Sequence, residues 1–288
     1  MTGTTTVLPS HCGVIGGGRM GAGIAHALLL ASRRVTLVER DEQAVEAARE
    51  RVARAFEASV KRGVIGDAAQ PMSRLTTVTG PAGLAEAGLV IEAVPEDLDL
   101  KLATLRAVED AVKPDAVIAS NTSSISLDTL AEALARPERL LGLHFFNPVP
   151  ASRLVEVVIA AATDPALRDR AVAWVTEIGK TAVVVRNAPG FASSRLGVAL
   201  GLEAIRMVEA GVASAEDIDA AMTLGYGYPT GPLRLTDLVG LDVRLGIARY
   251  LERELGTRFA PPDLLVRLVE QGHLGRKTGK GFYEWSES

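Results

Sequence analysis

A chain of 288 residues with 48% apolar and 23% charged content can bury a full core and reads as one large domain or two of ordinary size. A formal net charge of −4 argues against a general polyanion-binding surface, so nucleic acid is not an expected partner. Cys12 is the only cysteine, which excludes an intrachain disulfide, and no uncharged apolar run reaches the roughly 18 residues that a membrane span needs.

The first six residues lack the basic segment and apolar core of a signal peptide, which leads us to expect a cytoplasmic protein. From Cys12 to about Val185, short β-branched runs alternate with longer helical patterns, as in a parallel sheet with crossover helices. Strands are expected over residues 12–16, 35–39, 75–79, 89–94, 116–120, 140–145, 154–159 and 181–185. Most are continuous apolar runs, which suits strands covered on both faces. Helices are expected over 20–31, 42–62, 98–112 and 165–178, the last opened by Asp164 and Pro165. After the stretch Asn187-Ala188-Pro189-Gly190 the character changes, and helical periodicity continues to Gln271, with breaks at Gly211, residues 225–232 and Pro261-Pro262. We therefore expect an α/β nucleotide-binding domain over residues 1–187 and an all-helical domain over 188–288.

The stretch CGVIGGGRMGAG places Gly16, Gly18 and Gly21 in GxGxxG spacing between a strand and a helix, with Met20 inside the loop. Glycines there allow a tight turn and let backbone N–H groups approach a pyrophosphate at the positive end of the helix. Glu39 ends the second strand about 20 residues on, where an acid accepts both ribose hydroxyls. Arg40 beside it leaves room for a 2′-phosphate, but the glutamate repels that group, so NAD is expected over NADP.

Further polar groups stand where strands should end: Glu96, Asn121, Ser123, His144 with Asn147, and Glu156. Ligands of open parallel sheets bind outside the carboxyl ends of the strands, so these positions should converge on one crevice. Plainer roles exist for some of them. Ser123 or Ser124 suits the cap of a helix starting near Ile125, Asn147 before Pro148 suits a turn, and a lone histidine is commonly a core residue bonded to a carbonyl. His144 and Glu156 gain meaning as a pair. If the chain folds back around Pro148 to Ala151, the two face each other, and the carboxylate orients the ring for proton transfer.

The stretches ASNTSSIS, GLHFFNPVPASRLVEVV, NAPGF, ASAEDIDAAMTLGYGYPTGPLRLTDLVGLDV and LGRKTGKGFYEW follow the glycine loop in that order. Together they resemble the short-chain-length L-3-hydroxyacyl-CoA dehydrogenases, above all the bacterial 3-hydroxybutyryl-CoA dehydrogenases, over essentially the whole chain beyond residue 10. The resemblance implies a Rossmann domain, a helical domain that dimerises, and NAD-dependent oxidation of L-3-hydroxyacyl-CoA or the reverse reduction of acetoacetyl-CoA. It implies that His144 is the base, Glu156 its orienting partner, Ser123 a contact to the substrate oxygen, and Asn147 a residue near nicotinamide and substrate. Glu96, Lys101 and Lys277 match positions that contact the cofactor, and Asn121 and Ser123 of the same motif are expected beside it. Lys61 and Arg62 look like the residues that meet the CoA phosphates.

One departure stands out. Where the family usually reads Pro-Gly-Phe-x-x-Asn-Arg, this chain has Ser194 in the asparagine position, a shorter group without an amide's paired donor and acceptor. A free hydroxy acid or sugar acid as substrate, or a non-catalytic NAD-binding role, are the competing readings. No metal is expected.

Overall fold

The computed structural model describes residues 7–285; the first six residues, read above for a targeting signal, lie outside that range. In chain order the first part contains β1 (His11–Ile15), α1 (Arg19–Leu30), β2 (Arg34–Glu39), α2 (Glu42–Lys61), α3 (Ala69–Met72), β3 (Leu75–Thr79), β4 (Leu89–Glu92), α4 (Leu98–Ala111), β5 (Val117–Ser120), α5 (Leu127–Ala131), β6 (Leu140–Phe145), β7 (Leu154–Ile159), α6 (Pro165–Glu177) and β8 (Thr181–Arg186). Five helices follow: α7 (Ser193–Glu209), α8 (Ala215–Gly225), α9 (Pro232–Val239), α10 (Leu241–Leu255) and α11 (Asp263–Glu270). Contacts divide the chain into two compact units between Ala188 and Pro189.

The eight strands form one sheet in the order β3-β2-β1-β4-β5-β6-β7-β8. Strands β1 to β6 are parallel, β7 runs antiparallel to β6, and β8 is parallel to β7. The order reverses between β1 and β4, which is the topological switch point of a Rossmann-type sheet. All eight expected strands appear. The central β4, β5 and β6 are buried at every position, as their unbroken apolar runs require, whereas edge strands β3 and β8 are partly exposed.

Helix α1 is buried along nearly its whole length, from Gly21 to Leu29, because it lies against the sheet and is covered by α2. Helix α2 presents one apolar stripe, Val45, Ala48, Val52 and Phe56, and leaves its other faces charged. Asp41 starts it by accepting the Ala44 N–H at 2.7 Å. The serines at 123 and 124 do not cap the next short helix. It begins at Leu127, whose N–H donates to Asn187 Oδ1 at 3.1 Å, so a side chain 60 residues away supplies the cap.

In the second unit, Val198, Leu202, Ile205, Leu233, Leu241, Leu245, Leu251, Phe259 and Leu265 form the core. The breaks expected near Gly211, residues 225–232 and Pro261-Pro262 all occur, and there is one more. Gly240, at φ +107°, separates α9 from α10 inside a stretch that reads as unbroken helical pattern. Buried Asp237 then accepts the N–H groups of Phe282 and Tyr283 and the Trp285 indole, at 2.8–3.0 Å, and so ties the end of the chain to α9. Among the described residues no helix is long and apolar enough to cross a membrane.

Candidate active site

Gly16 follows β1 with φ +93°, and a Cβ there would lie 2.7 Å from the Ala93 carbonyl oxygen. A Cβ on Gly21 would collide with the Gly16 carbonyl, so the turn and the entry into α1 both demand glycine. Gly18 is the N-cap of α1 and provides no side-chain bond to the free N–H groups, while the space over it is open. That is the cradle a pyrophosphate needs, and Met20 lies in the first helical turn behind it. Glu39 Oε1 accepts the Gly17 N–H at 2.7 Å, and Arg40 is turned to Asp41 at 3.0 Å. The residues present therefore fit a dinucleotide.

The carboxyl ends of β1, β4, β5 and β6 lie along one edge of the sheet, as parallel pairing dictates. Ser120 pairs with Gly142 at the end of β5, so His144 extends two residues beyond that neighbour. Asn121 continues the ladder there, its Oδ1 accepting the Phe145 N–H at 2.8 Å. This bond makes Asn121 a brace for the His144 strand. Across the antiparallel β6–β7 pair, His144 stands directly opposite Glu156. Nδ1 lies 2.8 Å from Glu156 Oε2; the histidine is 6% exposed and the glutamate 1%. A carboxylate partner places the ring proton on Nδ1. The Phe146 ring packs against the imidazole, with centroids 4.5 Å apart.

Glu96 gathers the loop that carries Ser123. Its Oε1 accepts the Thr122 hydroxyl at 2.6 Å, the Ser123 and Ser124 N–H groups at 2.9 Å each, and the Ser124 hydroxyl at 2.9 Å. Partial burial works against its ionisation, but the Lys101 ammonium, followed by the bonds from Thr122, Ser123 and Ser124, holds its carboxyl below the usual glutamate range. Lys101 itself is 1% exposed, with Nζ 2.6 Å from Glu92 and 3.3 Å from Glu96. Its charge is spent inside the protein. No group of three or more His, Cys, Asp or Glu side chains that could hold a metal ion occurs among the described residues.

A cavity of about 300 Å³ opens between α1, α2 and the loop after β6, lined by Arg19, Ala22, Gly23, Arg51, Arg54, Ala55, Asn147, Pro148, Val149 and Pro150. Asn147 thus stands at its wall; Lys61 and Arg62 do not line it and are exposed at the end of α2. In the second unit, Lys277 forms a two-point ion pair with Asp242, 2.6 Å to each oxygen, and Ser194 lies in the first turn of α7.

The family model of the 3-hydroxyacyl-CoA dehydrogenase NAD binding domain matches residues 11–188, and that of the 3-hydroxyacyl-CoA dehydrogenase C-terminal domain matches residues 190–285. The chain belongs to the 3-hydroxyacyl-CoA dehydrogenase family. A 3-hydroxybutyryl-CoA dehydrogenase of Mycobacterium tuberculosis is 43% identical over 278 residues, covering 95% of this chain and 97% of that protein. A solved M. tuberculosis structure, 42% identical, superposes with a TM-score of 0.90 over 97% of this chain and all of the other. The structure of (S)-3-hydroxybutyryl-CoA dehydrogenase from Ralstonia eutropha, 36% identical, gives 0.93 with the same coverage.

Several residues around this cavity and the loop beside it escape a reading of motifs. Arg19, Arg51 and Arg54 line the cavity, and their signal was present: 51, 54, 61 and 62 fall within one stripe of α2. Lys180 Nζ donates to the Val149 and Ser152 carbonyls at 2.7 and 2.6 Å and so pins the loop beyond Asn147. No local pattern announces that bond. Gly23 lets the same loop approach α1, since a Cβ there would meet Val149 at 2.7 Å.

Proposed function

We propose that this protein interconverts L-3-hydroxyacyl-CoA, with 3-hydroxybutyryl-CoA as its main substrate, and the 3-ketoacyl-CoA, using NAD. The observation that carries the reading is the buried 2.8 Å contact of His144 Nδ1 with Glu156, set at the sheet edge that also bears the glycine loop. When bound, the nicotinamide supplies the hydride acceptor for oxidation and the donor for reduction.

The protein's own groups handle the proton and the alignment. With Nδ1 turned to Glu156, proton exchange with the substrate hydroxyl falls to His144 Nε2. Glu156 keeps the ring oriented and stabilises the imidazolium that forms. Ser123, on the loop gathered by Glu96, donates to the substrate oxygen as it becomes a carbonyl. Asn147 fixes the approach from the cavity wall. Glycines 16, 18 and 21 and the start of α1 hold the pyrophosphate, and Glu39 accepts from the ribose, with its charge disfavouring a 2′-phosphate.

Support for a CoA thioester comes from the three guanidinium groups of the cavity, since arginine forks match phosphate geometry; Lys61 and Arg62 extend the same basic stripe. Exposed apolar side chains on the second unit, including Leu196, Leu224 and Tyr226, support a homodimer formed through it. The similarity to bacterial 3-hydroxybutyryl-CoA dehydrogenases supports a cytoplasmic setting.

The test is reduction of acetoacetyl-CoA followed by NADH consumption. General base catalysis contributes about 10²- to 10⁴-fold, so His144→Gln should lose at least hundredfold in kcat while NADH binding persists. A variant within twofold of the parent refutes the role of His144. Faster turnover of free acetoacetate than of its CoA thioester refutes the substrate class.

A further inference from the structure

Glu92 is the last residue of β4, and its side chain is fully buried. Its Oε1 accepts from Lys101 Nζ at 2.6 Å and from the Val94 N–H at 2.8 Å; its Oε2 accepts the Ser120 hydroxyl at 2.5 Å. Ser120 is its direct register partner on β5. The Ser120 oxygen in turn accepts the Thr122 N–H at 3.2 Å. From the other side, Lys101 reaches Glu96, and Glu96 takes the Thr122 hydroxyl.

These bonds close a ring: Glu92, Lys101, Glu96, Thr122, Ser120 and back to Glu92. The ring joins the two paired strand ends to the loop that presents Ser123. A buried carboxylate with every bond satisfied is costly to disturb, because removing one partner leaves others unpaired away from water. An apolar residue at position 92 would suit the core of β4 as well as its neighbours do. A charge there serves the loop.

We propose that Glu92 is a positioning residue for the reaction: through Lys101 and Ser120 it holds the Glu96–Ser123 loop in place, although it touches no reactant. The inference rests on the reading of Ser123 as a substrate contact. It predicts that Glu92 and Ser123 act as a unit, so their substitutions will not multiply.

The experiment is a double-mutant cycle on acetoacetyl-CoA reduction. Glu92→Gln in the parent should lower kcat about tenfold or more; in a Ser123→Ala background it should lower kcat less than threefold. Equal losses in both backgrounds mark a general folding effect and overturn the proposal, as does a Glu92→Gln kcat within twofold of the parent. If Glu92→Gln does not fold, Ser120→Ala cuts the ring at its other arm and enters the same cycle, with an expected loss of about three- to fivefold in the parent and none beyond Ser123→Ala. Hydrogen exchange of residues 121–124 reads the positioning without a substrate. It should speed up at least tenfold in either variant while β1 and β6 stay protected, and unchanged exchange overturns the proposal. A parent that turns over no 3-ketoacyl-CoA breaks the functional reading alone, and the exchange measurement still decides the role of Glu92.

Discussion

Glu96 in the first unit and Asp237 in the second perform the same physical task and end up with different meanings. Each carboxylate gathers donors from a short segment that has no strand or helix to satisfy it. Asp237 takes the Phe282 and Tyr283 amides and the Trp285 indole, and Gly275 and Gly281 lie so close to it that a Cβ on either would collide. Its donors lead on only within the second unit, where the Tyr283 hydroxyl donates to Asp219 at 2.8 Å and Arg234 packs over the Tyr283 and Trp285 rings. Glu96 takes two amides and three hydroxyls from residues 122–124, the Ser123 hydroxyl at 3.4 Å being the longest of these contacts; its side chain is 35% exposed, and its loop lies at the carboxyl edge of the sheet. A buried carboxylate that ties a terminal segment to a helix is a fastener of the fold; a partly exposed one that gathers a loop at the carboxyl edge of the sheet is placed to arrange chemistry.

The largest effect should come from breaking the fastener. Asp237→Ala strands three partly buried donors at once, and unpaired groups cost about 1–3 kcal/mol each when fully buried, so a loss of about 3 kcal/mol is expected once water reaches part of them. Urea unfolding followed by circular dichroism reads it directly. An unchanged midpoint would remove the contrast between the two carboxylates.

Glu96→Gln should show the opposite profile. The shape is kept, but an amide cannot accept every donor that the carboxylate takes, and Lys101 loses one of its two acids. We expect kcat/KM to fall by about ten- to hundredfold, with stability changed by no more than about 1 kcal/mol at neutral pH. Parallel urea titrations and steady-state kinetics test the split, and damage to stability without damage to turnover contradicts it.

Proton linkage refines the comparison at a smaller scale. The folded-state pKa of Glu96 lies below the ordinary value of 4.5, so its contribution to stability is complete above that pH and is lost as pH falls through the lowered folded value. The stability gap between parent and Glu96→Gln should therefore be flat from pH 7 to about pH 5 and shrink below pH 4.5. A gap that widens on acidification reverses the sign and rules out the ion-paired carboxylate.

Which parts of this arrangement a reader of the sequence can find follows from the range of the forces involved. The strands and the glycine loop are local: β-branched runs and a three-glycine spacing mark them, and the structure places them within two residues. The facing of His144 and Glu156 was readable on one condition, a fold-back between them, because a two-strand register is symmetric about its turn. Buried contacts between distant segments left no such mark. Asn187 capping α5, Lys180 pinning residues 149–152 and the ring through Glu92 each join residues at least nine positions apart by side-chain bonds. Lys101 shows the limit well: its position in the motif points to the cofactor, while its ammonium is held by two acids inside the protein.

The smallest expected effect tests the one departure from the family pattern. Ser194 stands in the first turn of α7, next to the turn formed by Gly190 and Phe191, both at positive φ. A serine there offers one hydroxyl in place of an amide that donates and accepts together. On the proposal that position 194 serves the substrate, Ser194→Asn should add one hydrogen bond to it, worth about 0.5–1.5 kcal/mol, or about two- to twelvefold in rate. If serine merely weakens polarisation of the carbonyl, kcat on acetoacetyl-CoA rises by that factor and KM hardly moves. A rise confined to longer 3-ketoacyl-CoA substrates, with KM changing and kcat constant, assigns Ser194 to the shape of the acyl pocket instead. No change on C4 to C10 substrates separates this position from the reaction.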